Sequence, residues 1–256
     1  MKLTWQIEEQ DVQKVQTLIV KWADDSLVQL RKSRNIDKQH PILSEDTVWF
    51  VLVACLLTTQ QRSGPGSAVK RLLDQQPFPL SYAVCKDQKK LRGFIEGALT
   101  SFGGIRRAST IAKQCVANLK MLKGGLWNPL LEKLRKVNES DDSTLEREVA
   151  HYVAEQFHGF GPKQSRNLLQ WLGTSKHEIP IDSRIMKWLN TNLLDFHLSA
   201  QLLSDPAYYD LLTDGIQALC KRANLFPCMF DATVFTSFDK GWDEDDLGAS
   251  ETLGQL

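Results

Sequence analysis

Apolar residues recur at helical spacing along nearly the whole 256-residue chain, and no segment sustains the in-out alternation of a half-buried strand. That property confines the chain to an all-α fold. In a first helix, expected over about 11 to 31, Val12, Val15, Leu18 and Ile19 share one face. Ser44 then caps a second segment, Val48 to about Thr59, which is apolar on every side and belongs inside a core. Gly64-Pro65-Gly66 stops it. Further helices are expected over 68–73, 91–95, 105–119 and 130–137, the last following Pro129. Ser143-Thr144-Leu145-Glu146 has the form of a capping box opening a helix through Ala150, Val153 and Phe157. Beyond Gly159 and Gly161 the helical pattern resumes through Leu168, Leu169 and Leu172, and three more helices are expected over 183–194, 208–221 and 228–238.

With 42% hydrophobic residues the chain can bury one large core or two smaller ones. Cys55, Cys85, Cys115, Cys220 and Cys228 are odd in number, widely spaced and without a C-x-x-C pair, which argues against a disulfide framework or a zinc site. Met1 to Gln10 lacks the basic-then-apolar form of a signal peptide, and Val48 to Leu57 falls far short of the roughly 20 residues that span a bilayer. The expectation is a cytoplasmic monomer with no membrane partner, nucleoid-associated if the cell is prokaryotic. Formal net charge is zero, yet residues 239–256 hold six acidic side chains against Lys240, a net −5 that leaves +5 on the rest. The folded body is therefore mildly basic, and the acidic tail is expected to be disordered.

Phe157-His158-Gly159-Phe160-Gly161-Pro162-Lys163 joins two helical patterns through a very short turn. Glycines allow positive φ and close backbone approach, and the amides that open the following helix suit a phosphate. Alone, such a turn reads more readily as a plain helix connection. Nineteen positions after Lys163 comes Asp182, at the end of Glu178-Ile179-Pro180-Ile181-Asp182-Ser183-Arg184. Asp182 alone reads equally as an ordinary cap for a helix starting at Ser183.

Together, the hairpin, the lysine and the spaced aspartate resemble the HhH-GPD DNA glycosylases. Gly159, Gly161 and Lys163 match that family's hairpin, with His158 where proline is usual and Ser165 where alanine is usual. Leu56-Leu57-Thr58-Thr59-Gln60-Gln61 resembles the segment that fills the duplex after a base is extruded, with Gln60 as the wedge; it reads equally as a polar helix C-terminus. Phe102-Gly103-Gly104-Ile105-Arg106-Arg107 also has a counterpart. The matches span roughly residues 44–238. The resemblance implies two helical subdomains, with the active site in the cleft between them. Residues 1–43 would pack with the C-terminal helices, 44–182 would form a domain holding the helix-hairpin-helix (145–172), and 183–238 would supply the C-terminal helices.

The activity so implied is removal of a damaged base from double-stranded DNA. Lys163 would be the nucleophile and Asp182 the stabiliser of sugar cation, while Gln60, His158, Gly159, Phe160, Gly161, Arg106 and Arg184 would meet DNA. Lysine attacks only as the neutral amine, and a place in the first turn of a helix, near the positive end of its dipole, disfavours the cation. A lysine at this position implies strand cleavage at abasic sites through a Schiff base. Only Cys220 and Cys228 follow the catalytic region, so no iron–sulfur cluster and no other cofactor is expected, apart from a monovalent cation at the hairpin carbonyls. Tyr208 to Phe235 looks like the C-terminal region of the prokaryotic 8-oxoguanine glycosylases that lack the cluster, which favours 8-oxoguanine as the lesion. Oxidised pyrimidines and a non-catalytic DNA-binding module are the alternatives. Phe226, Phe230 and Phe235 are expected to pack in the core.

Overall fold

The computed structural model describes residues 4–39 and 42–238, and among these the chain is helical throughout, without a strand. In chain order the helices are α1 (Glu9–Trp22), α2 (Ser26–Arg31), α3 (Glu45–Leu57), α4 (Ala68–Leu73), α5 (Tyr82–Cys85), α6 (Leu91–Phe102) and α7 (Ala108–Met121). They continue with α8 (Trp127–Glu139), α9 (Ser143–Gln156), α10 (Pro162–Trp171), α11 (Ser183–Asn192), α12 (Pro206–Arg222) and α13 (Pro227–Phe238). A π-helical turn, Lys32–Ile36, prolongs α2, and a 3-10 turn, Ala200–Ser204, leads into α12. The acidic stretch 239–256 lies outside the described residues.

The apolar side chains sort into two cores. One is built around α3, where every residue from Thr47 to Leu57 is buried, and is closed by α4 to α10. The all-round apolar helix thus runs through a core, as its pattern requires. The second gathers Val12 and Val15 of α1, Ile185 and Leu189 of α11, Ile216 of α12 and Phe230 of α13, with Ile179 and Ile181 delivered by the segment after α10. α1 packs on α13 and α12, so the first described residues join the last. No helix among the described residues is long and apolar enough to cross a membrane.

Several element boundaries depart from the periodic pattern for local reasons. The helix expected over 11–31 is broken at Ala23 to Asp25, where the Asp25 carboxylate accepts from Leu27 N at 3.0 Å and caps a new helix. The helix expected from 105 starts at Ala108, because Gly103 and Gly104 have positive φ and Arg107 is left-handed. Asp142, not Ser143, caps α9, and Glu146 makes no capping box. Its carboxylate is buried and accepts from Ser175 Oγ, Lys176 N, His177 N and Glu178 N at 2.6 to 3.0 Å. A side chain with the spacing of a local cap instead anchors a loop 30 residues downstream, because four donors there outweigh one at the helix start.

Candidate active site

The hairpin between α9 and α10 is fastened from behind. Asn118 of α7, fully buried, donates Nδ2 to His158 O at 3.0 Å and accepts from His158 N at 2.8 Å. Gly159 has φ of +85°, and a Cβ there would lie 2.6 Å from both Gln114 Nε2 and Leu56 Cδ2, so both conformation and space demand glycine. Gly161 is different. Its backbone is extended, it caps α10, and a Cβ would meet nothing within 4 Å. Of the hairpin residues expected to meet DNA, His158, Gly159 and Gly161 are exposed, whereas the Phe160 ring is buried against Phe157 with centroids 6.1 Å apart. The Phe160 amide is also used within the hairpin, donating to Phe157 O at 3.2 Å.

Pro162 at the first position of α10 sets Lys163 in the first turn. Lys163 is half-buried, and its charge reaches the Cys55 thiol beneath it, opposing the burial that pushes that thiol up. The hairpin carbonyls Phe157 O and His158 O already accept hydrogen bonds from Phe160 N and Asn118 Nδ2. These bonds compete for the oxygens the expected monovalent cation would use.

Asp182 is held differently. Its Oδ1 caps α11, accepting from Arg184 N at 2.8 Å and Ile185 N at 3.2 Å, while Oδ2 accepts from Arg184 Nε at 3.0 Å. The segment leading to it is tied to both neighbouring helices. Tyr209 Oη of α12 accepts from Ile181 N at 2.5 Å and donates to Ile179 O at 2.9 Å. Glu178 accepts from Arg166 Nε of α10 at 2.8 Å and Arg147 Nε of α9 at 2.9 Å. Arg166 Nη1 also reaches Pro162 O at 3.3 Å, the residue before Lys163.

Lys163 and Asp182 open onto one cavity of about 730 Å³, set where the two cores meet. Its walls come from α2 and its π turn, the end of α3, α10, the start of α11 and α13. Gln60 stands at its rim, exposed, with a left-handed φ of +58°. Its neighbour Gln61 is structural: its Oε1 accepts from Arg106 N at 2.8 Å, and its Nε2 donates to Leu57 O. Gln164 Nε2 donates to Thr59 Oγ1 at 2.7 Å, so the Gln60 turn is coupled to the helix carrying Lys163. Arg106 is exposed beyond this turn, whereas Arg184 faces the cavity, paired with Asp182 and lying 3.7 Å over the Phe235 ring. Phe230 packs in the core on Trp188 and Phe226 against His177, but Phe235 borders the cavity and is a wall of the site.

The chain resembles two solved structures over most of its length. The 8-oxoguanine DNA glycosylase of Methanocaldococcus jannaschii superposes with a TM-score of 0.62 at 16% identity, covering 90% of this chain and 94% of that one. Tm1821, the 8-oxoguanine DNA glycosylase of Thermotoga maritima, gives 0.60 at 15% identity, covering 91% and 98%. The chain has the fold of these glycosylases. No family model and no curated protein matches its sequence. The shared fold agrees with the all-α reading made from periodicity and with the two helical subdomains that the resemblance implies.

Sequence reasoning gave no such role to several residues that build the fold around the cavity. Asn118, Glu146, Arg166 and Glu178 fix the backbone, and Asn35, Gln170 and Asp231 are buried polar groups bordering the cavity. Their one sequence signal is a polar residue at the buried phase of an apolar helix, as with Gln170 between Leu169 and Leu172, or Asp231 after Phe230.

Proposed function

We propose that the protein is a bifunctional DNA glycosylase and abasic-site lyase of base excision repair, acting on an oxidised base, with 8-oxoguanine favoured. The observation that carries this reading is that Lys163 and Asp182 open onto one cavity at the junction of the two cores. Neither a backbone-binding module nor a structural helix connection has a use for an amine and a carboxylate brought together in a cavity of about 730 Å³.

A base stacked in duplex DNA cannot be reached, so the nucleotide is rotated out at a cost of about a few kcal/mol. The amides of the exposed Gly159 and Gly161, together with Arg106, hold the backbone, and Gln60, at the rim, fills the gap. With the base in the cavity, the neutral Lys163 amine attacks C1′ as the bond from C1′ to the base nitrogen breaks, and the departing base takes up a proton. Asp182, as an anion, stabilises the positive charge that develops on the sugar. Opening of the sugar ring gives an imine between Lys163 and C1′. Loss of a C2′ proton then expels the 3′ phosphate, which cuts the strand. The segment from Glu178 to Asp182 is clamped to α10 through Arg166, so amine and carboxylate keep their relation during these steps.

Borohydride reduction on lesion-containing duplex DNA tests the reading. Wild-type protein is expected to form a covalent adduct, and Lys163→Gln is expected to form none. Undiminished trapping by Lys163→Gln removes Lys163 from the mechanism.

A further inference from the structure

The three residues before Asp182 form a turn with the hydroxyl of a distant side chain set across it. Ile181 N donates to Ile179 O at 3.0 Å, closing a three-residue ring around Pro180, whose fixed φ suits the centre of such a turn. A bond between residues two apart is bent and weak, and Ile179, Pro180 and Ile181 are all buried, so water does not supplement it. Tyr209 of α12 does. Its Oη accepts from Ile181 N and donates to Ile179 O, so both ends of the turn hold the same oxygen. Only the neutral phenol can donate and accept at once, and burial pushes the ionisation of this hydroxyl far up. The Tyr209 ring is fully buried, and the Arg166 guanidinium lies 4.7 Å over it. Arg166 belongs to α10, the helix that carries Lys163, and grips both Pro162 O and Glu178. Tyr209 therefore meets both halves of the site without being one of the residues that line the cavity.

We infer that Tyr209 is a positioning residue for base release, its hydroxyl holding the turn from Ile179 to Ile181 so that Asp182 presents its carboxylate to the sugar at a fixed place relative to Lys163. The inference rests on the glycosylase reading above and adds to it a residue that acts through Asp182. One peptide unit, about 3.8 Å between Cα atoms, separates Ile181 from Asp182, so a turn that relaxes carries the carboxylate with it. On its other side Asp182 is fixed by the cap it gives to α11. The attraction of a carboxylate for a sugar cation falls with distance, and about 1 Å of misplacement can cost about 100-fold in rate. Removal of the hydroxyl alone keeps the ring, its place in the core and its contact with Arg166, and leaves Ile181 N and Ile179 O with only their bent bond to each other.

Tyr209→Phe tests this, alone and combined with Asp182→Asn, in the full chain. Three quantities are measured on each protein: single-turnover base release from an 8-oxoguanine duplex, affinity for that duplex, and borohydride trapping on abasic-site DNA. In Tyr209→Phe, release is expected to fall about 10- to 100-fold with affinity kept. Trapping on abasic DNA is expected to fall far less, because the open-chain aldehyde already offers its carbon to Lys163 and no bond to a base has to break. In the Asp182→Asn background the same substitution is expected to change release by less than about twofold, since a residue that acts through Asp182 has nothing left to position. A purely structural role would lower release and trapping together and would add its full loss to that of Asp182→Asn. Wild-type release by Tyr209→Phe, equal losses of release and trapping, a full additional loss in the double variant, or a Tyr209→Phe chain that does not fold at the assay temperature each overturns the inference and leaves the glycosylase reading in place. A wild-type protein that neither releases a base nor traps on abasic DNA takes down both.

Discussion

Arg166 Nε meets Glu178 Oε2 at 2.8 Å with both side chains closed off from solvent, joining the helix that carries Lys163 to the segment that ends in Asp182. The pair is not isolated. Glu178 also accepts from Arg147 and Gln217, Arg166 reaches Asp210 at 2.7 Å, and the Arg166 guanidinium lies 4.7 Å over the Tyr209 ring. Removing one member leaves a buried charge uncompensated, which costs about 3–5 kcal/mol. Glu178→Ala is therefore expected to lower the unfolding free energy, read from the urea midpoint and slope, by about 3–5 kcal/mol, and Glu178→Gln, which keeps part of the hydrogen bonding, by less. Equal midpoints for wild type and Glu178→Ala would show that the network does not carry the joint.

The two hairpin glycines separate a structural demand from a functional one. Gly159→Ala forces a left-handed backbone on an L residue, about 1–2 kcal/mol, and drives Cβ into Gln114 and Leu56, a further cost of about 1–3 kcal/mol. Gly161→Ala meets neither obstacle, so stability is expected within about 0.5 kcal/mol of wild type. Denaturant melts of the two variants check this, and a Gly159→Ala protein as stable as Gly161→Ala would contradict the packing argument.

Asp231 gives stability a pH dependence with a definite sign. Burial raises its carboxyl to about 6 from an ordinary 3.8, and Asp182 adds to the rise, while Arg31, Gln170 and Arg184 oppose it. The folded state therefore holds a proton between pH about 4 and 6 that the unfolded chain has lost, so this group's contribution to stability falls as pH rises through that window and then levels. Asp231→Asn removes the penalty. It is expected to be more stable than wild type at pH 8 by about 1–3 kcal/mol, with the gap closing toward pH 4. A gap that widens toward acid would mean that Asp231 is stabilised as an anion by Arg31 instead.

The parts of this architecture that could be read in the sequence are those whose cause is local. The turn at Gly159, the position of Pro162 ahead of Lys163 and the Asp182 cap each depend on residues within a few positions, and the all-apolar α3 declares its burial by composition alone. The helix ends at Asp25 and Asp142 were missed because several nearby residues compete for the cap and only the fold selects one. The cavity wall was illegible for a different reason. Asn35 finds Gln170 across 135 positions, and Arg31 finds Asp231 across two elements remote in sequence, so no spacing rule connects them. Glu146 was misread in the same way, its local spacing resembling a cap while its partners lie in the loop before Glu178.

Asp182→Asn tests whether that carboxylate acts as a cap or as an anion. The asparagine Oδ1 can still accept from Arg184 N and Ile185 N, and asparagine caps helices about as well as aspartate. What changes is Oδ2, which now accepts from Arg184 Nε at 3.0 Å and would become a donor facing a donor. Both side chains of that pair keep some exposure, 28% for Arg184 and 15% for Asp182, so its loss is expected to cost only about 0–1 kcal/mol. Melting temperature should therefore move little. If the anion stabilises a developing sugar cation, the loss falls on the chemical step by about two to four orders of magnitude, with lesion-DNA affinity kept or raised as a negative charge leaves the vicinity of the phosphates. Melting temperature, affinity and single-turnover base release measured on one preparation separate the two roles. Unchanged release together with an unchanged melt would return Asp182 to the role of a helix cap, whereas a lowered melt that tracks the lost activity would place its function in holding Arg184 over Phe235.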